Sequence, residues 1–112
     1  MVDNKKIKQS LFKKLTRENA FWSYDMKGIG SVPDDVLIAQ SLIYLDIDDI
    51  NNLFLIYDKE KIKKVWREKI VIQGDYYNDL NLLLSWLYFD IKKPDAYLKS
   101  VLTRHYKKIA KL

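Results

Sequence analysis

Cysteine is absent from the 112 residues, and there are only three glycines, two prolines and one histidine. Without cysteine there is no disulfide, no thiolate metal site and no cysteine nucleophile, which fits a reducing compartment such as the cytosol. So little glycine and proline leaves scant material for tight hairpins and favours helices. Long apolar runs are missing as well. The opening stretch MVDNKKIKQSLFKK has no unbroken hydrophobic segment, so neither a signal peptide nor a membrane anchor is expected there.

What is present suits an ordered fold. The hydrophobic fraction is 48% and the aromatic fraction 13%. A chain of this length is expected to form one domain with a single core that needs no covalent staples. The net charge of +5 is unevenly distributed. Residues 1–24 carry six Lys/Arg against two acids, residues 25–58 one Lys against seven Asp, and residues 59–112 thirteen Lys/Arg against six acids. An acidic middle between basic ends means either internal complementarity or separate surfaces for separate partners.

The periodicity predicts six helices. Ile7, Leu11 and Leu15, widened by Phe12, make Lys5 to Thr16 a basic amphipathic helix. Ser31-Val32-Pro33-Asp34 resembles a capping box, with Pro33 in the first turn and Asp34 and Asp35 at the positive end of the dipole. Val36, Leu37, Ile38, Leu42, Ile43 and Leu45 follow on a mostly buried helix. Asp46 caps a third helix with Ile50, Leu53, Phe54 and Tyr57 on one face, and Asp58 caps a fourth over Lys59 to Lys69 that faces inward through Ile62, Val65 and Trp66. Ile70-Val71-Ile72 reads as a fraying linker that ends at Gly74.

Asp75 to Asp90 (DYYNDLNLLLSWLYFD) is apolar nearly all round but, at sixteen residues, too short for a membrane span of about 20. It is therefore expected to be the buried central helix of an all-α, single-domain bundle, and Leu83→Asp or Trp86→Ala should collapse the fold. The last helix starts at Pro94 and faces inward through Tyr97, Leu98, Val101, Leu102, Tyr106 and Ile109. Its Lys99, Arg104, Lys107, Lys108 and Lys111 leave the other face basic.

No catalytic constellation emerges, and the chain is not expected to be an enzyme or to need a cofactor. His105 stands alone, with no carboxylate one turn away. Gly28-Ile29-Gly30 lacks the third glycine and the preceding strand of a phosphate loop. The aspartates from Asp46 to Asp58 lack the glycine and terminal glutamate of a calcium loop, so no metal is expected. Candidate partner-binding residues are the aromatic cluster Phe21, Trp22 and Tyr24 and the acids Asp46, Asp48 and Asp49. Surplus rings such as Tyr76 and Tyr77 are available to a homodimer or another partner. Candidate nucleic-acid contacts are Lys5, Lys6, Lys13, Lys14, Arg104, Lys107 and Lys108, because lysine-rich helices suit phosphate. The helix-capping and dipole roles of these same charges are the competing structural explanation.

The ordered run of signals carries a resemblance. Phe21-Trp22 is followed by Val32-Pro33-Asp34, Leu45-Asp46-Ile47-Asp48-Asp49-Ile50, Tyr57-Asp58-Lys59-Glu60, Val65-Trp66, Leu80-Asn81-Leu82-Leu83-Leu84 and Tyr88-Phe89-Asp90-Ile91-Lys92. This run resembles a family of small bacterial helical proteins encoded beside AbiEii-type nucleotidyltransferases and regarded as antitoxins of those neighbours. The resemblance covers residues 21–97 as a core, flanked by a basic N-terminal helix in residues 1–20 and a basic helix end in residues 98–112. It implies a cytoplasmic protein that binds and neutralises a nucleotidyltransferase-type toxin, with the acidic segment as a candidate contact to an electropositive cleft. The alternatives are a nucleic-acid-binding regulator, such as a repressor of its own operon, or a helical adaptor without inhibitory action.

Overall fold

A computed structural model of the chain describes residues 4–18 and 32–111. These residues are overwhelmingly helical, with no strand among them, which is the all-α class the periodicity requires. Six α-helices are described: α1 (Asn4–Arg17), α2 (Asp34–Tyr44), α3 (Ile47–Ile56), α4 (Lys59–Val65), α5 (Asn78–Leu87) and α6 (Pro94–Ala110). A π-helical turn over Trp66–Ile70 and 3-10 turns over Val71–Tyr77 stand between α4 and α5. The chain divides into two compact units, Met1–Ile62 and Lys63–Leu112.

In the first unit α1, α2 and α3 pack against one another pairwise. Leu11 and Leu15 of α1, Leu37, Ile38 and Leu42 of α2, and Ile50 and Leu53 of α3 are buried, with Tyr57 and Ile62 joining them. Side chains at i and i+3 or i+4 share one helical face, so these spacings bring each stripe to the core. Short extended breaks separate the helices. Leu45 leaves the helical region at φ −98° and ψ 166°, and Asp46 then opens α3 by accepting a hydrogen bond from the Asp49 backbone N–H at 3.0 Å. The break after α3 falls at Tyr57, also extended, and the Asp58 carbonyl accepts the Ile62 N–H at 3.1 Å as α4 begins. The α2 start differs from the capping-box expectation: Pro33 precedes the first turn with no side-chain cap, while Ser31 lies outside the described residues.

The second unit is built around Trp66, which is fully buried. Its ring stacks on Phe89 with centroids 4.7 Å apart and on Tyr97 at 6.0 Å. The indole N–H donates to Asn81 Oδ1 at 2.8 Å, so the one polar atom of the ring is satisfied inside the core. Ile70 and Val71 are buried with it. The expected fraying linker at residues 70–72 is therefore a correction: the Val71 N–H closes a five-residue step onto the Trp66 carbonyl, and the apolar run continues inward in helical turns. Gly74, at φ 73° and ψ −142°, is where the helical path breaks, four residues before α5 starts at Asn78.

The buried central helix over residues 75–90 is also corrected. The α-helix spans only Asn78–Leu87, and it buries one face, through Asn81, Leu84 and Ser85. Trp86 is 72% exposed, Leu83 45% and Leu87 38%. The physical reason lies in the two polar residues. Ser85 Oγ donates to the Asn81 carbonyl at 2.7 Å, and Asn81 Oδ1 accepts from Trp66, so both enter the core with their hydrogen bonds made. The inward face is thereby fixed, and the more apolar side of α5 is left outside. It follows that Leu83→Asp and Trp86→Ala do not test the core, whereas Trp66→Ala does.

Candidate functional site

Five charged residues of the first unit pair with one another. Lys14 of α1 bonds the buried carboxylate of Asp49 at 2.5 Å. Lys8 of α1 and Lys61 of α4 both stand 3.5 Å from Asp34 of α2, and Asp34 also accepts the Tyr57 hydroxyl at 2.5 Å. Lys8 and Lys61 each place their ammonium 5.2 Å from the Tyr57 ring centroid, where its quadrupole attracts cations. The hydrogen bond from Tyr57 is the main cause that holds the Asp34 carboxyl below its usual range, with Lys8 and Lys61 adding to it against the opposing effect of burial. Burial, and then the neighbouring Asp34, push the Tyr57 hydroxyl well above the ordinary phenol value. The hydrogen bond to Asp49 raises Lys14. The acidic middle and the basic first helix are thus complementary at two points, Lys8 with Asp34 and Lys14 with Asp49.

This changes the standing of the candidate acids. Asp46 is occupied as the cap of α3, and the backbone N–H of Asp49 is the first cause of its lowered pKa. Asp49 is buried against Lys14 and cannot reach a partner without breaking that pair. Asp46 and Asp48 both face solvent, but among the described residues Asp48 is the one of the three that neither caps a helix nor pairs with a lysine. Lys14 leaves the candidate nucleic-acid set for the same reason, while Lys5, Lys6 and Lys13 remain exposed along α1. Phe21, Trp22 and Tyr24 lie outside the described residues.

In the second unit the structure exposes two features that residue spacing alone did not single out. One is an apolar row on α5, with Leu83, Trp86 and Leu87 at i, i+3 and i+4. Tyr76, 83% exposed, precedes the helix and packs edge-on against Tyr77 with centroids 4.7 Å apart. The i, i+4 pair Asn81 and Ser85 was the sequence signal for this arrangement, because two small polar residues one turn apart can satisfy each other inside a core. The other is a groove between the π-helical turn and α6, which brings Arg67 to the same place as Arg104 and Lys108. Lys107 is exposed but outside that lining, and half-buried His105 is tilted against Tyr106 with ring centroids 5.7 Å apart.

Among the described residues no group of three or more His, Asp or Glu is placed to hold a metal ion, and no helix is long and apolar enough to cross a membrane. No family model, curated protein or solved structure matches the chain.

Proposed function

We propose that this chain is an antitoxin that binds and neutralises a nucleotidyltransferase-type toxin in the bacterial cytoplasm, and that it docks through the apolar row of α5. The observation that carries the docking surface is Trp86, 72% exposed between Leu83 and Leu87 on one helical face. Tryptophan is the residue most enriched among interface hot spots, and an amphipathic helix laid into an apolar groove is a recurrent recognition mode. The nature of the partner rests on the family resemblance of residues 21–97. Because Asp49 is buried in a pair with Lys14, an acidic contribution to the interface falls to the exposed Asp48 and Asp46, the latter also holding the α3 cap. The chain acts by occupancy and not by catalysis.

Co-expression with an AbiEii-type nucleotidyltransferase toxin tests this reading. A stable complex on size exclusion and restored growth of toxin-expressing cells are expected. Trp86→Ala together with Leu83→Asp should abolish both while leaving the thermal melt unchanged. A complex that forms without restoring growth would make the chain an adaptor. Neutralisation that persists in the double variant would remove α5 from the interface.

A further inference from the structure

The cations of the second unit are arranged differently from those of the first. The groove between the π-helical turn and α6 measures about 560 Å³ and has Arg104, His105 and Lys108 on one side and Arg67 on the other. Ile72 and Val101 form its aliphatic part, and Glu68 is the one acid lining it among the described residues. Arg67 donates to the Tyr97 hydroxyl at 3.3 Å, which steadies its guanidinium, and Lys63, one helical turn earlier, lies 5.5 Å from the Tyr97 ring centroid. Arg104 bonds only its own helix, through the Ser100 carbonyl at 3.5 Å. Neither Arg104 nor Lys108 has a carboxylate partner among the described residues.

The helix dipole explains only part of this. It favours cations within the last turn of α6, where Lys107 and Lys108 stand, and fades beyond it. Arg104 is further back, and Arg67 belongs to another segment. Two unpaired cations of α6 facing an arginine across a shallow groove form an anion-binding geometry. Arg104, Lys108 and Lys111 follow each other at i, i+4 and i+7 and span about 10 Å along the helix. That is a line of charge and not a single cradle. Among the described residues no Phe, Tyr or Trp lines the groove, and its one ring is His105, so contacts would fall chiefly on phosphates and carry little sequence information.

We infer that this groove binds the phosphodiester backbone of a nucleic-acid strand, with Arg67, Arg104 and Lys108 as the contacting residues. The site is separate from the α5 row, so it stands or falls independently of the docking proposal.

The test is fluorescence anisotropy of a labelled 20-nucleotide single strand with the full chain across a salt series. Binding that weakens steeply with salt is expected. Arg104→Glu/Lys108→Glu should lower affinity at least tenfold and reduce the magnitude of the log–log salt slope by about 1.4, at about 0.7 per lost contact on a single strand. Lys5→Glu/Lys13→Glu on α1 changes net charge equally and should shift affinity less than twofold. Circular dichroism checks both folds; should the reversed variant unfold, Arg104→Gln/Lys108→Gln is read in its place. Equal losses in the two pairs, unchanged affinity in the groove variant, or no binding at low salt would each overturn the inference. So would displacement by inorganic triphosphate at matched phosphate concentration, which would mark a point-anion site.

Discussion

Trp66 carries more of the second unit than any other residue, since one ring supplies the stacking with Phe89 and Tyr97 and the buried donor for Asn81. Replacing it with alanine should cost about 3–5 kcal/mol. Trp66→Phe is more informative. It keeps a ring but leaves Asn81 Oδ1 buried without a donor, a loss of about 1–3 kcal/mol beyond the missing volume. Adding Asn81→Leu should recover much of that loss in chemical denaturation, and strictly additive effects would mean the hydrogen bond contributes nothing. Asp34 gives a pH signature. Its carboxyl pKa is lower in the folded chain than the ordinary 3.8, so its contribution is fully present above that value and is lost as pH falls through the folded one. Asp34→Ala should therefore lower the urea midpoint at neutral pH, with the gap closing as the pH falls below 3.8 and through the lower folded value. Exposure of Asp34 keeps the effect modest.

At the level of elements, the segment between α4 and α5 decides how the second unit is put together. The helix that starts at Lys59 does not stop at Lys69 and fray. It widens into a π-helical turn and then tightens, which keeps Trp66, Ile70 and Val71 inside. π-helical turns are rare and often mark functional positions, and here the turn carries Arg67 to the groove. Gly74 ends that run in a backbone conformation that residues with a side chain rarely adopt. Nothing lies within 4 Å of a Cβ added there, so the cost of Gly74→Ala is backbone strain alone, about 1–3 kcal/mol by thermal or chemical denaturation. An unchanged melt would show that the segment relaxes to another path. After α5, Asp90 takes the left-handed region at φ 50°, which aspartate tolerates better than most residues, and Pro94 opens α6 in its first turn.

Across the whole molecule the net charge of +5 has two different fates. In the first unit Lys8, Lys14 and Lys61 are matched to Asp34 and Asp49, so the basic first helix helps hold the acidic helices in place. In the second unit the surplus of Arg104, Lys107 and Lys108 is left to solvent and to whatever anion approaches. Removing the lysine that pairs with buried Asp49 should reveal this division. Lys14→Met strands the Asp49 carboxylate and is expected to destabilise more than Lys14→Met/Asp49→Asn, in which no charge is left behind. A double variant as unstable as the single one would mean the pair is incidental to the fold.

The sequence by itself determined the helical class, the order of the helices and most of their breaks. Those properties are local: the i, i+3, i+4 stripes of α1, α3 and α4, the Asp46 cap and Pro94 each act within a few residues of themselves. It also showed the acidic middle and the basic ends, though not which charges would meet. What only the tertiary structure decided was which way α5 faces and what stands at the centre of the second unit. Hydrophobicity counted Asn81 and Ser85 as interruptions, yet a donor from Trp66, fifteen residues away in the chain, made Asn81 an interior residue and sent Trp86 outward. The same holds for Asp49, whose carboxylate meets a lysine thirty-five residues earlier, and for Arg67, which meets Arg104 across a groove. Burial of a polar group depends on whether a partner arrives, and that partner is supplied by the fold and not by the neighbouring sequence.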